Sequence, residues 1–226
     1  IEAVKAGADG LRLNPGNIRN KENIKKVVIA CKEKGVPIRV GVNAGSLDRK
    51  KYPSVTPRAL VDSAWEHIKI LEEMDFTDIK VSLKASDVNV MIEAYRMFAA
   101  QCEYPLHLGV TEAGTYKESM IKSSTGIGSL LYVGIGDTIR VSVTGDVVEE
   151  VEIAKLILRS LGLRKEGIEI ISCPTCARKE FDVESVVKEL EEKTKGFKKY
   201  MKVAVMGCVV NGPGEALDAD FGIVAG

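Results

Sequence analysis

Three of the five cysteines lie in the last quarter of the chain, at a spacing that suits metal or redox chemistry. Cys173-Pro-Thr-Cys176 falls on a predicted turn between a strand and a helix, and Cys208 ends the next predicted strand. Two thiolates at this spacing can chelate a metal, bind an iron–sulfur cluster or form a redox dithiol. Because a dithiol catalyst does not require the third cysteine, the set favours a metal or cluster site.

The choice of fourth ligand separates a cluster from zinc. Structural zinc usually takes a fourth Cys or a His, and the only two histidines, His67 and His107, are far from these cysteines in sequence. The nearest ligand-capable side chain after Cys208 is Glu215. Three thiolates and one carboxylate suit a [4Fe–4S] cluster whose fourth iron has a harder, more labile oxygen ligand. The residues therefore favour a cluster, while zinc and thiol redox chemistry stay open.

A second group of polar residues lies on predicted strands earlier in the chain. These strands alternate apolar and polar residues, as where Arg39, Gly41 and Asn43 alternate with isoleucine and valine. Amphipathic helix signals fall between the strands, which predicts right-handed βαβ units and a parallel sheet. The predicted strands are residues 10–14, 37–43, 78–84, 105–111 and 138–144.

The alternation indicates what the sheet encloses. If helices cover the apolar face, the polar face lines the inside of a barrel. We therefore predict an α/β fold with a partial TIM (β/α)8 barrel of about five βα units, the substrate-binding domain, over residues 1–162. A small α+β iron–sulfur domain follows over residues 163–226. A doubly wound open sheet of five strands is the alternative for the first domain, and half-exposed antiparallel strands are a further one.

The polar strand face carries enough cations to bind an anion. Arginines and a lysine lie at or near the carboxyl ends of the strands, where barrel enzymes place their chemistry, and such a group suits a phosphate or diphosphate. Lys80 and Arg140 begin their strands, so we expect them at the opposite, structural end. Glu112 directly follows the fourth strand and is predicted to be an acid, a base or a hydroxyl ligand. The predicted substrate-binding set is Arg12, Arg39, Asn43, Lys84, Thr111 and Ser142.

Composition excludes several other classes of protein. The chain of 226 residues has 32 basic and 32 acidic side chains, so its net charge is zero. Such a charge does not indicate binding to nucleic acid or to a membrane surface. No apolar run approaches the ~18 residues of a membrane span. An odd number of cysteines and the lack of a signal peptide speak against a secreted, disulfide-linked domain. We expect a soluble cytoplasmic protein.

Both cysteine segments belong to long motifs. Residues 171–178, Ile-Ser-Cys-Pro-Thr-Cys-Ala-Arg, and 205–216, Val-Met-Gly-Cys-Val-Val-Asn-Gly-Pro-Gly-Glu-Ala, resemble the cluster motifs of the 4-hydroxy-3-methylbut-2-enyl diphosphate synthase family. The strand segments are similar to that family as well, and the resemblance covers essentially the whole chain. These further matches are residues 11–17, 39–46, 80–86, 106–114 and 134–142.

The resemblance implies a TIM barrel joined to a C-terminal cluster domain. It implies a reductive ring opening, with loss of water, of 2-C-methyl-D-erythritol 2,4-cyclodiphosphate to 4-hydroxy-3-methylbut-2-enyl diphosphate in non-mevalonate isoprenoid biosynthesis. Ferredoxin or flavodoxin would donate the electrons, and a bacterial homodimer would share its sites between chains. Glu112 would be the catalytic proton-transfer residue, and the substrate-binding set above would hold the cyclodiphosphate. The implied ligands of the [4Fe–4S] cluster are Cys173, Cys176, Cys208 and Glu215.

The chain departs from the family pattern at both ends. The family's first strands and a C-terminal tail are absent, so we expect an incomplete chain in which about three βα units would precede Ile1. Residues 48–57 also look shortened. Two other functions stay open. One is a zinc-stapled barrel enzyme that acts on a phosphorylated substrate without redox chemistry, and the other is a noncatalytic thiol-redox or cluster-carrier module.

Overall fold

The structure is a computed structural model that describes residues 1–210 and 212–225. The chain forms two compact units, of which the first is Ile1–Leu161 and the second begins at Gly162. Among the described residues, we find no helix that combines the length and the apolar character needed to cross a membrane.

Unit 1 alternates strands and helices in the order that the sequence predicts. All strand pairs are parallel, so the antiparallel alternative is wrong. Strands that are neighbours in sequence are also neighbours in space, as in a barrel, whereas a doubly wound sheet reverses its strand order. The elements are α1 Glu2–Lys5, β1 Leu11–Leu13, α2 Lys21–Lys34, β2 Ile38–Asn43, a 3₁₀ turn Ala44–Ser46, α3 Pro57–Glu72, β3 Ile79–Lys84, α4 Val88–Ala99, β4 His107–Leu108, α5 Tyr116–Tyr132, β5 Thr138–Ile139 and α6 Val147–Ser160.

Side-chain caps fix where the helices of unit 1 begin. Asn20 accepts hydrogen bonds from two backbone N–H groups at the start of α2, and Thr56 accepts one from Ala59 N ahead of a proline at the first position of α3. Asp87 and Asp146 cap α4 and α6 in the same way. These four helices therefore begin directly after their capping residues, whereas Thr115, before α5, makes no side-chain cap hydrogen bond.

The core of unit 1 lies between the apolar face of the sheet and the helices. Ile38, Val40 and Val42 of β2 are buried, as are the alternate residues of β3. Between β3 and β4 the backbone makes only the bridge Val81–Leu106. Here the buried Tyr95 hydroxyl accepts a hydrogen bond from Leu83 N at 3.0 Å and donates one to His107 O at 2.6 Å. Tyr95 thus joins the two strands where their pairing is sparse.

All five strands of unit 1 are shorter than predicted, and two of them are much shorter. Residues 105–111 and 138–144 were expected to be extended along their length, but β4 and β5 each contain only two residues. Their alternation of polar and apolar residues continues beyond the paired segment. Strand length is fixed by pairing, and β5 has one strand neighbour, β4, among the described residues.

Unit 2 contains helices and a small parallel sheet. Its three described strands lie side by side in sequence order, and both strand pairs are parallel. The Gly-Pro-Gly segment lies in a short helix between the second and third of these strands. The elements are β6 Ile168–Ser172, α7 Val183–Lys193, β7 Met201–Met206, α8 Gly212–Ala216 and β8 Phe221–Val224.

Candidate active site

Parallel register aligns the polar side chains of unit 1 in rows. Arg12 on β1 pairs with Arg39 on β2, which pairs with Lys80 on β3. At the carboxyl ends, Asn43 pairs with Lys84. Residues an even number of positions apart on a strand share a face, so both rows lie on one side of the sheet, which we call the polar face.

Arg12 lies across the neighbouring strand. Its Nη2 atom donates hydrogen bonds to Gly41 O at 2.9 Å and to Asn43 Oδ1 at 3.2 Å. Burial and the charge of Arg140 lower the pKa of Arg12, and burial and the charge of Arg12 lower the pKa of Arg39. These cations therefore repel one another, and an anion bound between them would relieve that repulsion.

Lys84 is the most buried cation of the group. Lys84 is the last residue of β3, and only 6% of its surface is exposed. Burial, followed by the charges of Arg39, Arg140 and Arg12, lowers its pKa to about 7. Glu150 is the one carboxylate that raises this pKa. A desolvated amine among guanidinium groups indicates a site that is completed by a negatively charged ligand.

Arg140 is level with Lys84, since both approach Gly109, so the prediction that Arg140 lies at the opposite end is wrong. The backbone of Arg39 is near the amino end of β2 and pairs with Lys80, so the prediction that Arg39 lies at or near a carboxyl end is also wrong. Strand β5 ends at Ile139, and Arg140 follows the strand instead of beginning it. Its backbone N–H donates to Leu108 O at 2.9 Å, one residue before Gly109. Its Nε atom lies 3.9 Å from a carboxylate oxygen of Glu150. We call Arg12, Arg39, Lys84 and Arg140 the cation cluster.

His107 lies beside the cation cluster without adding to its charge. Its Nδ1 atom is 2.8 Å from Thr138 Oγ1, and its Nε2 atom is buried with no hydrogen-bond partner. Burial and the charges of Lys84, Arg39 and other cations lower its pKa to about 3. The imidazole is therefore neutral near pH 7.

The remaining predicted residues of unit 1 follow β4 and β5. Thr111 is buried, and its backbone N–H donates to Ala85 O at 3.2 Å. Ser142 is half-buried, and its carbonyl accepts a hydrogen bond from the Ser119 hydroxyl at 2.7 Å. Glu112 is exposed and has a φ of 48°, a left-handed conformation that non-glycine residues rarely adopt. Strained backbone of this kind is concentrated at functional sites.

In unit 2 the three predicted cysteines line a single pocket together with Glu215. Cys173 and Cys208 follow β6 and β7, which are adjacent parallel strands, so their backbones leave the same edge of the sheet. Gly207 N donates a hydrogen bond to Cys173 Sγ at 3.2 Å. Hydrogen bonds from the backbone and side chain of Arg178, together with its charge, lower the pKa of Cys176. The interactions with Arg178 favour the thiolate form of Cys176.

The pocket fits a group larger than one ion. Its volume is about 310 Å³, and across residues 1–210 and 212–225 no three His, Cys, Asp or Glu side chains come together as ligands of one metal ion. Zinc needs ligand sulfurs about 2.3 Å from a common point. A [4Fe–4S] cluster takes one thiolate at each of several irons, so its ligands spread around it. Three soft thiolates around a pocket with one carboxylate therefore fit the cluster better than zinc.

Comparison with protein families gives two matches that follow one another along the chain. Residues 1–155 match the GcpE TIM-barrel domain, and residues 169–226 match the GcpE protein C-terminal domain. An α/β barrel domain followed by a cysteine-containing domain is thus the class that the fold and the two sites define. The chain belongs to the GcpE family.

Three similar curated proteins carry the same name, 4-hydroxy-3-methylbut-2-en-1-yl diphosphate synthase (flavodoxin). The proteins of Caldanaerobacter subterraneus subsp. tengcongensis and Clostridium perfringens are each 58% identical over 229 aligned positions, which cover 100% of this chain. The aligned parts are 64% and 66% of those two relatives. That of Fusobacterium nucleatum subsp. nucleatum is 57% identical over 99% of this chain and 64% of its own length. The chain thus spans slightly less than two thirds of the length of these relatives.

Proposed function

We propose that this chain carries the substrate site and the cluster site of a 4-hydroxy-3-methylbut-2-enyl diphosphate synthase. The reaction is the reductive ring opening of 2-C-methyl-D-erythritol 2,4-cyclodiphosphate, which consumes two electrons and two protons and releases one water. The observation that carries the proposal is a cation cluster in one unit together with a pocket lined by three cysteines in the other. The zinc alternative gains no support, because the relatives reported above are all named as this synthase.

The cation cluster provides the groups that the cyclodiphosphate needs. Arg12 and Arg39 present guanidinium forks that match phosphate oxygens, and Lys84 acts as a point charge between them. Asn43, Thr111 and Ser142 lie near the carboxyl ends and complete the proposed binding set. We add Arg140 to this set because it directly follows β5.

Glu112 is the proposed acid at this site. It follows Thr111 at the carboxyl end of β4, it is exposed, and its backbone is held in a left-handed conformation. A carboxyl group at the edge of a cation cluster can contact a substrate hydroxyl and donate a proton to the leaving oxygen. The preceding residue, Thr111, is anchored by a hydrogen bond from its backbone N–H to Ala85 O.

Cys173, Cys176, Cys208 and Glu215 are the residues that would hold a [4Fe–4S] cluster. When bound there, the cluster would supply single electrons to the reduction. Gly207 N donates a hydrogen bond to Cys173 Sγ, and Arg178 lowers the pKa of Cys176, which favours the thiolate that a cluster ligand needs. The printed names of the relatives support flavodoxin as the electron donor. The closed barrel, a homodimer with shared sites and a bacterial cytoplasmic location are part of the same proposal.

Anaerobic purification followed by assays of iron, acid-labile sulfide and turnover tests this function. We expect roughly four irons and four sulfides per chain. We also expect cyclodiphosphate to be converted to 4-hydroxy-3-methylbut-2-enyl diphosphate when reduced flavodoxin is supplied. One zinc per chain without sulfide would overturn the proposal in favour of a zinc-stapled enzyme. A full cluster with no binding of cyclodiphosphate would favour a carrier module.

Replacing Arg39 with alanine should weaken binding of the cyclodiphosphate at least tenfold. A charge-assisted hydrogen bond contributes about 1.5 to 3 kcal/mol, and Arg39 lies in the row between Arg12 and Lys80. Iron content should stay unchanged, because Arg39 is in unit 1. Isothermal titration calorimetry measures the affinity, with Arg96→Ala on the exposed face of α4 as the control. Equal affinity in wild type and Arg39→Ala would show that the polar face does not bind the substrate.

A further inference from the structure

Two cations of the cluster lie across glycines on the next strand segment. Arg12 of β1 extends over Gly41 of β2, and the ammonium of Lys84, at the end of β3, extends over Gly109 just after β4. Both glycines belong to the polar face, where the other positions carry long or polar side chains. Neither glycine has a positive φ, so the backbone conformation does not require glycine at either position.

The space above Gly41 is filled by Arg12. A Cβ atom built on Gly41 would lie 2.5 Å from Arg12 Nε and 3.1 Å from Arg12 Cγ and Cδ, its three nearest neighbours. The Arg12 side chain lies flat against Gly41. This path brings its Nη2 atom to 2.9 Å from the Gly41 carbonyl and to 3.2 Å from Asn43 Oδ1. The missing side chain is therefore what lets Arg12 make both hydrogen bonds.

Gly109 has the same relation to Lys84. A Cβ atom built there would lie 2.8 Å from Lys84 Nζ, 3.1 Å from Lys84 Cε and 2.6 Å from Arg140 O. Lys84 and Arg140 come from different strand ends, and both approach the chain at this one residue. Among the described glycines, Gly41 and Gly109 are the two approached by the charged end of a cationic side chain. Gly16, Gly126 and Gly136 are approached as closely, but by backbone or uncharged side-chain atoms.

We propose that Gly41 and Gly109 are positioning residues of the anion site, because each provides a gap in which a cation lies flat against the sheet. A cation held in this way keeps its charge at the polar face without filling the space in front of it. The anion can then occupy that space and contact several cations at once. This inference rests on the proposed function of the cation cluster as the diphosphate site.

The Gly41→Ala substitution tests this proposal, with inorganic pyrophosphate as the probe. Only side-chain atoms of Arg12 oppose the new methyl group, so the fold can adapt by moving Arg12. We expect pyrophosphate affinity, measured by isothermal titration calorimetry, to fall about tenfold as Arg12 loses its hydrogen bonds to Gly41 and Asn43. The control is Gly128→Ala in α5, which meets no neighbouring atom and should bind as wild type does. Thermal unfolding of each variant verifies that it is folded.

A double-mutant cycle separates positioning from a general structural effect. If Gly41 acts through Arg12, adding Gly41→Ala to an Arg12→Ala chain should change pyrophosphate affinity less than twofold. A full tenfold loss in that background would overturn the proposal, as would a Gly41→Ala chain that binds as tightly as wild type. A wild-type chain that binds no pyrophosphate would instead overturn the proposed function of the cation cluster, and this inference with it.

Discussion

A chain in which Cys176 is replaced by serine is expected to lose essentially all of its iron and acid-labile sulfide. The serine hydroxyl is a harder and far less acidic ligand than a thiol, so it holds iron poorly. Arg178 lowers the pKa of Cys176 by hydrogen bonding and by its charge, which prepares this position for a thiolate and not for a hydroxyl. Iron and sulfide assays after anaerobic reconstitution should fall from roughly four of each to near zero.

The matched control is Cys102→Ser in unit 1. Cys102 follows α4, and its thiol lies 3.9 Å from Phe98 O, as in a packing residue. The same exchange of sulfur for oxygen there should leave iron and sulfide at the wild-type level. A Cys176→Ser chain that keeps four irons would exclude Cys176 from the ligand set. Equal loss in both variants would point to a general loss of folding.

The local features of both sites could be predicted from the sequence. Alternation along a strand assigns side chains to faces without knowledge of the partner strand, which is why Arg39, Asn43 and Lys84 are found on one face of the sheet. Side-chain caps at Asn20 and Thr56 likewise depend on nearby residues alone. All three cysteines lie in the segments that follow β6 and β7. Because these two strands pair in parallel, both segments leave the same edge of the sheet, which explains the common pocket.

Features that depend on pairing could not be predicted in the same way. Arg140 was misplaced because the sequence does not show where β5 stops pairing, and it joins the cation cluster only because the strand ends at Ile139. Gly-Pro-Gly is a typical turn sequence, yet here it forms α8 because a third parallel strand must be reached from β7. The role of Gly41 depends on the path of a side chain from another strand.

The cation cluster should also affect folding, since its charges repel one another in the ligand-free protein. Lys84 shows this most clearly. Its pKa in the folded chain, about 7, is below the ordinary value of 10.5, because burial and three arginines disfavour the charged form. The unfolded chain therefore binds more protons between these two values. Stability accordingly rises with pH across that window, and the full destabilisation is present below about pH 7.

Replacing Lys84 with methionine should therefore stabilise the fold and weaken ligand binding. Methionine keeps the length and apolar stem of the side chain without the buried charge, so the free energy of unfolding at pH 7 should rise by on the order of 2 to 4 kcal/mol. Pyrophosphate affinity should fall at least tenfold, because a cation of the binding set is lost. The half-buried Lys80, one row below, provides the control variant Lys80→Met, whose stability should change much less.

Urea unfolding of wild type and Lys84→Met between pH 6 and pH 10 measures this effect directly. The stability difference should be largest at or below pH 7 and shrink as the pH rises towards 10.5, above which the lysine becomes neutral in both states. Wild type should bind pyrophosphate more tightly than Lys84→Met, and this difference in affinity should be largest below pH 7. It should shrink at higher pH, because the ammonium loses its attraction for pyrophosphate as it deprotonates. A Lys84→Met chain that is less stable than wild type at pH 7 would show that the ammonium has a stabilising partner in the folded chain.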